Sequence, residues 1–555
     1  MSSAWARSGN RKCAERAEEI LKDFEDKYRA GELEEPPGLV TYNSVLLCLS
    51  QAKEGERAEA LIRKMLEMQN PCGKDVRPDI ISFNTCVNAF ARAGDPRKAE
   101  EILESMYKEY TKTHDASIAP TVETFSTVLT AWLKSKEPTA AERAEAILRT
   151  MQKLHKAGIL EVEPNSIAFN IVLTAWFQSN DRYAPRRAEM LLTEMEDLYD
   201  AGSKVVKPDA MAYEHCIEGY ANRRNARKAE DVLERRHTQS LSAAHGGGGN
   251  LHAKPTLRSY NKVLGSYKRD INKDAAQRAD SLCRRLLERH DAGIVDFPPD
   301  SLSVQLVLEA WYNAASYDRA AGKRARSFVQ DLQKSKSSPM ISMGSEAHNK
   351  LIEIFVKLID AESADEYFRK VCNDSIQQKE SASLKLDVSS LNKVLGVWRK
   401  SNSKEAGERI EALLTLVKEN PQLGIQPNLA SYKIFLNCLE DNPSLWSASQ
   451  ADATLEEMEK IASVEAKKPN AQDYTQILRI WSKIKDKSSY KHAEQVFQKM
   501  KDQFDAGHVH CTPTIASYHA LINCWSVSEE ADANERIRQL RAQMAEIKHQ
   551  RESTR

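Results

Sequence analysis

The sequence predicts an all-α fold, a right-handed α-solenoid superhelix of stacked helix-turn-helix repeats. Three observations predict it. The first is a proline period. Pro37, Pro78, Pro120, Pro164, Pro208, Pro255 and Pro299 follow one another at 41, 42, 44, 44, 47 and 44 residues. Met343 and Leu386 hold the next two places, and Pro427, Pro469 and Pro513 resume the series. Ten of the nineteen prolines therefore share one phase, with a period of about 43 residues, the range of a helical repeat. The second is direct self-similarity. The stretches SFNTCVNAFARAGDPRKAEEILESM, TFSTVLTAWLKSKEPTAAERAEAILRTM and AFNIVLTAWFQSNDRYAPRRAEMLLTEM share an aromatic start, an apolar run, a polar break and an A-E-x-I/L-L stretch. The third is the periodicity inside each unit, which is helical in both halves.

The elements follow in order. Helix A carries the run after the aromatic, as in TYNSVLLCLSQ, and is almost uncharged. Such a helix is buried on most sides or lines a surface. Helix B carries A-E-x-I/L-L-x-x-M, apolar at i, i+3, i+4 and i+7, with its charges on the other face. A small residue recurs near its start: Ala17, Ala58, Ala99, Ala144, Ala188, Ala229, Ala279, Ala325, Ala364, Ala451 and Ala493. Small side chains let two helices approach closely. Proline then keeps helix B from running into the next helix A, because it lacks the N–H and restricts the residue before it. One such hairpin cannot bury its apolar stripe alone, whereas stacked neighbours can. The expected organisation is a partial repeat over 1–38, eleven tandem repeats over 39–514, and a final repeat with a capping helix over 515–555. Ser3-Ala4-Trp5 aligns with Thr130-Ala131-Trp132 inside helix A, so the chain is expected to begin mid-helix, short of its natural start.

Composition narrows the function. The chain has 80 Lys and Arg against 80 Asp and Glu, which excludes a polybasic protein that finds nucleic acid by bulk charge. With 41% hydrophobic and 29% charged residues it is too apolar to be disordered. The ten cysteines are scattered with no C-x-x-C, which argues against a disulfide scaffold or zinc ribbon and suggests a reducing compartment. Apolar runs such as IVLTAWF are too short to span a membrane. The N-terminal stretch lacks the apolar core of a signal peptide and turns acidic too early for a clear transit peptide.

The phrases that recur carry a resemblance. LVTYN (39–43), IISFN (80–84), SIAFN (166–170) and LRSYN (257–261) open helices A. Pro78-Asp79, Pro164-Asn165, Pro208-Asp209, Pro299-Asp300, Pro427-Asn428 and Pro469-Asn470 close units. This pattern resembles the pentatricopeptide repeat family over almost the whole chain, in a form whose units are longer than the family's usual repeat. The surplus is placed in helix B and the loop after it, the widest loop holding the flexible run Gly246–Gly249. The resemblance implies an organellar protein, mitochondrial or plastid, that reads single-stranded RNA at one base per repeat. It implies no cofactor, no metal and no membrane, and a monomer that acts with other RNA-processing proteins.

By the same resemblance two side chains per unit read each base. One is the polar residue after the helix-A aromatic, here called the reader. The other follows the closing proline, here called the closer. Short polar side chains suit the work because they hydrogen-bond a base edge without blocking it. The family's code then pairs Asn43 with Asp79, Asn170 with Asp209, Asn261 with Asp300, and Asn349 with Asp387 as U readers. Ser126 with Asn165 resembles an A reader and Asn392 with Asn428 a C reader. Asn84 with Thr121 is unresolved. Glu214–Thr256 and Gln305–Gly344 fall off the code, and Lys433–Asn470, Thr475–Thr514 and His519 give no reading. The implied core is U-n-A-U-n-U-n-U-C-n-n. Residues two places before the aromatic, which flank the base in this family, are apolar at Val40, Ile81, Ile167, Met211 and Leu302. They are Glu123, Arg258, Glu346 and Gln472 elsewhere. The plainer reading stays open, that Asn and Asp here are helix caps and turn residues.

A second pattern owes less to the family. Eight residues after the reader stand Arg92, Lys134, Arg269, Lys357, Lys400 and Lys483, with Arg7 at the same phase. Seven of thirteen such positions are basic and one acidic, against parity overall. A cation at one phase makes a stripe that a phosphate backbone can follow. The same charges also suit the C-terminal end of a helix.

No catalytic motif accompanies these patterns. The chain lacks H-x-E with P-C-x-x-C, GxxxxGK[ST] and G-x-S-x-G. The one dense metal-like cluster, His508-Val509-His510-Cys511, reads as a solvated loop. The expectation is no enzyme. The second reading is an α-solenoid scaffold for proteins in an organellar ribosome or RNA-processing complex.

Overall fold

The computed structural model describes residues 11–68, 76–241, 253–270, 272–335, 343–377, 386–465 and 469–553. Among these it holds twenty-five α-helices and no strand. Helix α1 (Arg11–Arg29) precedes the hairpins α2–α3 (Leu39–Ala52, Gly55–Glu67), α4–α5 (Ile80–Ala93, Pro96–Thr113) and α6–α7 (Val122–Lys134, Ala140–Lys156). Next come α8–α9 (Ser166–Gln178, Ala184–Asp200), α10–α11 (Ala210–Asn222, Ala226–Leu241) and α12–α13 (Leu257–Arg269, Ala275–Asp291). The series runs on through α14–α15 (Ser301–Ala314, Ala321–Lys334), α16–α17 (Ser345–Leu358, Ala361–Gln377) and α18–α19 (Val388–Lys400, Ala406–Glu419). It ends with α20–α21 (Leu429–Asp441, Leu445–Glu465), α22–α23 (Ala471–Ile484, Ser489–Asp505) and α24–α25 (Ile515–Val527, Ala533–Ser553). Even-numbered helices are helix A and odd-numbered ones helix B. The chain is an all-α solenoid of stacked helical hairpins.

The chain divides into two compact units, Met1–Asp270 and Ile271–Arg555. The division falls between α12 and α13. In the first unit α2, α4, α6, α8, α10 and α12 stack directly on one another, with each helix B packed between its own helix A and the next. In the second unit α14, α16, α18, α20, α22 and α24 form the same kind of layer. Among the described residues no helix is long and apolar enough to cross a membrane.

Helices A are nearly invariant in length, at 13 or 14 residues. Helices B run from 13 to 21, so the long repeat takes its variation from helix B. The burial pattern explains this. In α6 the residues Thr124, Phe125, Val128, Leu129, Ala131 and Trp132 are buried, and α8 repeats the pattern from Ala168 to Trp176. Each helix A thus touches neighbours along its whole length. Helix B buries a narrower stripe, Ala141, Ala144, Ile147, Leu148 and Met151 in α7, and its distal end is free to extend. The recurring alanines of helix B are fully buried from Ala58 to Ala493, whereas Ala17 is half-buried and Ala14 lies in the core of α1.

The acidic residue after the alanine has a structural task. Glu100, Glu145, Asp280, Asp452 and Glu494 each reach to the next helix A. There they accept from the indole N–H of Trp132 (2.9 Å), Trp176 (2.9 Å), Trp311 (3.3 Å), Trp481 (3.1 Å) and Trp525 (2.8 Å). Tyr220 and Tyr267 donate to Glu189 and Glu230 at the same phase. A cation often completes the site, as Arg143 does at Glu100 (2.6 Å). Burial pushes the Glu100 and Asp280 carboxyls up, against the pull of these partners. Each such bond ties one repeat to the next. Replacing Trp176 with Phe removes the donor and part of the buried ring, and is expected to cost at least about 1–2 kcal/mol, the hydrogen bond and the smaller ring together. Urea denaturation measures it, and an unchanged midpoint would show that the bond to Glu145 contributes nothing.

Candidate nucleic-acid interface

The closers are built by helix capping. The residue after the closing position is in extended backbone, after Leu386 as after proline, and its side chain caps the next helix A. Asp79 accepts from the Ser82 amide (2.8 Å), Asn165 from Ala168 (3.0 Å) and Asp209 from Ala212 (2.9 Å). Asp300, Asp387 and Asn428 cap Ser303 (2.7 Å), Ser390 (2.8 Å) and Ser431 (3.1 Å) in the same way. The readers sit one turn into the preceding helix A.

Capping and the reader meet at one place. Asn43 Nδ2 donates to Asp79 Oδ1 at 3.2 Å. Asn170 Nδ2 donates to both Asp209 oxygens, at 3.2 and 3.0 Å. Asn392 Nδ2 donates to Asn428 Oδ1 at 3.3 Å. Asn349 and Asp387 share the Ser390 hydroxyl, which donates to an oxygen of each. Burial raises the Asp387 carboxyl, but the hydrogen bonds from Ser390 outweigh it and hold it below its ordinary value. At these positions one side chain therefore caps helix A and also meets the polar residue of the preceding helix A. No hydrogen bond joins Asn84 to Thr121 or Ser126 to Asn165, and Asn84 Oδ1 is buried without a partner. Asn261 lies on α12 of the first unit, and Asp300 caps α14 of the second.

The off-code side chains take partners within the protein, although Glu214 Oε2 is buried without a hydrogen-bond partner. Glu214 accepts from Arg236 (2.8 Å), Thr256 (3.2 Å) and Ser259. Lys433 pairs with Asp473 at 3.1 Å. Gln305 turns along its own helix to Glu309 (3.3 Å), and the Thr475 hydroxyl returns to the Ala471 carbonyl (2.6 Å). Between α20, α22 and the loop before α24 lies a groove of about 1090 Å³, lined by Lys433, Asn437, Gln476, Arg479 and His510 among others. Cys511, beside it, is buried and its thiol donates to the Pro469 carbonyl at 3.2 Å. Among the described residues no group of three or more His, Cys, Asp or Glu side chains could hold a metal ion.

The apolar residues at the head of helix A are exposed although nearly all of their neighbours are buried. Val40 is 80% exposed, Ile167 61%, Ile81 58%, Met211 57% and Leu302 48%. Apolar side chains are thus left exposed at one repeat phase, three residues before the polar residue that follows each buried position.

The cations divide into two kinds. Arg92, Lys134, Arg269 and Lys400 are exposed and make no ion pair or hydrogen bond among the described residues. Lys357 Nζ donates to the Tyr312 carbonyl (2.8 Å) and lies 4.2 Å from the Tyr312 ring, and burial lowers its pKa. Lys483 donates to the Glu440 carbonyl (3.1 Å) and pairs with its carboxylate (3.6 Å). These two tie down the end of the preceding helix A. Arg7 lies outside the described residues, as do the run Gly246–Gly249 and the stretch Ser3-Ala4-Trp5.

Two contributors escaped sequence reasoning. One is the residue before the aromatic, where Ser82, Ser390 and Ser431 donate to the preceding unit's reader. Its signal is visible as a recurring S-F-N, S-L-N or S-Y-K. The other is Arg236, whose partner lies 22 residues upstream with no repeat phase to mark it.

Comparison with known proteins comes from three sides. The family description "Pentatricopeptide repeat domain" matches residues 67–135 and 464–526, and "PPR repeat" matches residues 40–69. A search of curated proteins finds no match. Among solved structures, the chain is similar to the pentatricopeptide repeat protein PPR10 in complex with an 18-nt psaJ RNA element. There the identity is 16% and the TM-score 0.30, covering 98% of this chain and 68% of that one. It is also similar to yeast Rmd9p in complex with a 16-nt target RNA, at 13% identity and TM-score 0.30, covering 93% and 86%.

Proposed function

The chain belongs to the pentatricopeptide repeat family, and from that premise we propose that it binds single-stranded RNA with base preference in an organelle. Each on-code unit reads one base through its reader and closer, and the bound strand is U-n-A-U-n-U-n-U-C-n-n. The observation that supports this is the repeated juxtaposition of reader and closer within hydrogen-bond reach, beside an exposed apolar side chain at the head of helix A. A base edge then meets short polar groups while its face meets Val40, Ile81, Ile167, Met211 or Leu302. The unpaired cations Arg92, Lys134, Arg269 and Lys400 lie at the far end of the same helices and suit phosphates. The protein acts by occupancy in processing, stability or translation of a mitochondrial or plastid transcript, as a monomer that shields RNA or recruits RNA-processing proteins. A protein-binding scaffold is the second reading. The internal pairing of Glu214 with Arg236 and of Lys433 with Asp473 favours it for those units.

Selection from randomised RNA, with sequencing of the bound pool, tests the proposal. The expected result is enrichment of the motif above. Ser126→Asn is expected to move the third base from A toward C and leave the others unchanged. Enrichment of no motif would sink the coded reading, and a motif that does not move at that base would show the register to be wrong.

A further inference from the structure

We infer that the serine preceding the helix-A aromatic is a specificity-determining residue for the unit before it, acting by fixing the orientation of the reader's amide. The inference rests on the RNA-binding reading above. A carboxamide presents a donor on one side and an acceptor on the other, and a flip exchanges them. Uracil and cytosine differ by the same exchange along their Watson–Crick edges. A reader that flips freely therefore discriminates poorly between them, however close it lies.

Ser82 prevents the flip at Asn43. Its Oγ donates toward Asn43 Oδ1 at 2.6 Å and Asp79 Oδ1 at 2.8 Å, while Asn43 Nδ2 donates to Asp79 Oδ1 at 3.2 Å. A flipped amide would turn its oxygen onto the carboxylate, and its NH₂ would have to share the Ser82 Oγ lone pairs with the Asp79 amide, which already donates there at 3.2 Å. Both contacts oppose the flip, and they leave one N–H and one lone pair of Asn43 in a set order. Ser431 does the same at Asn392, donating to Oδ1 at 2.6 Å, and Ser390 does so at Asn349. The held orientation is common to U and C units, so the closer, Asp or Asn, sets which of the two bases the ordered amide favours.

The other units supply the contrast. Ala212 stands where this serine would be for Asn170, and Asn170 Oδ1 is buried without a hydrogen-bond partner. Only Asp209 orients that amide. At Asn84 the equivalent residue is Thr124, whose hydroxyl turns to Thr121 (3.3 Å), and Asn84 Oδ1 is likewise buried and unpartnered. Asn84 has neither restraint. The readers thus fall into a graded series, Asn43 held from both sides, Asn170 from one and Asn84 from none.

The test uses the full chain and a panel of short RNAs carrying the motif, varied one base at a time. Ser82→Ala is expected to reduce the U-over-C preference at the first base about three- to tenfold, the effect of one lost hydrogen bond. Preferences at the other bases stay unchanged, and Ser82→Thr restores the first. Ala212→Ser is expected to sharpen the preference at the fourth base by a similar factor. A purely structural serine would instead weaken all RNAs alike, with the ratios at each base preserved. That outcome in a folded Ser82→Ala, or no sharpening in Ala212→Ser, overturns the inference while leaving RNA binding intact. A wild-type chain with no preference at any base would overturn the RNA-reading proposal itself.

Discussion

Replacing Arg236 with methionine is expected to destabilise the first unit by about 3–5 kcal/mol, because it strands a half-buried carboxylate and three further acceptors. Arg236 is fully buried on α11. Its Nε donates to the Ala253 carbonyl and Nη2 to the Lys254 carbonyl, both at 2.9 Å. Nη1 donates to Glu214 at 2.8 Å and to the Ser259 hydroxyl at 2.6 Å. One side chain thereby joins α10, α11, the segment before α12 and α12 itself. Thermal unfolding of the variant measures the loss. Adding Glu214→Gln is expected to recover part of it, since the uncompensated carboxylate is then gone. Burial would raise the Glu214 carboxyl, but hydrogen bonds from Ser259 and Arg236 outweigh it and hold the group below its ordinary value. A depressed carboxyl contributes stability that is complete above its unfolded pKa, about 4.3. That contribution is lost as pH falls through the lower folded value. The gap between wild type and variant should therefore narrow in acid. An unchanged midpoint at neutral pH would refute the account of Arg236 as a clamp.

Changing Arg92, Lys134, Arg269 and Lys400 together to alanine is expected to flatten the salt dependence of RNA binding. Each phosphate contact on a single strand contributes roughly 0.7 to the slope of log K against log salt, so four give about 3. Between 50 and 200 mM salt the wild type should then lose about fifty-fold more affinity than the variant. These four are chosen because they are exposed and unpaired, whereas Lys357 and Lys483 are already held by the helix before them. If the four serve only to balance helix ends, the variant will keep the wild-type slope and lose thermal stability instead. Base preference should survive the change, because these groups lie two turns from the readers.

Much of the architecture was legible in the chain. The proline phase marked the unit boundaries, since proline at the start of an element is a backbone constraint and needs no partner. The alanine phase marked helix B, since only a small residue fits where two helices touch. The helix caps after the unit boundaries were legible as well, because a cap acts within three residues of itself. Side-chain pairing across repeats was not. The glutamate after each alanine reads as one more outer charge until Trp132 or Trp176 is seen to donate to it. Lys357 and Arg92 share a repeat phase, yet one is tied to Tyr312 and the other is free, because their neighbours on the adjacent helix A differ.

By itself the sequence determined the fold class, the length of the unit, the order of its two helices and the residues that cap each helix A. These depend on local propensity, capping and one repeated hydrophobic pattern, all of which act at short range. Tertiary structure decided which reader amides are held and which float, which cations are spent inside the protein, and which slot Arg236 closes. It also placed the division of the chain between α12 and α13. The physical reason is shared by the amides, the cations and Arg236. Each bond joins residues far apart in the chain, about 40 for the readers and cations and 22 for Arg236 and Glu214, and its existence depends on the exact side chain that the neighbouring helix presents.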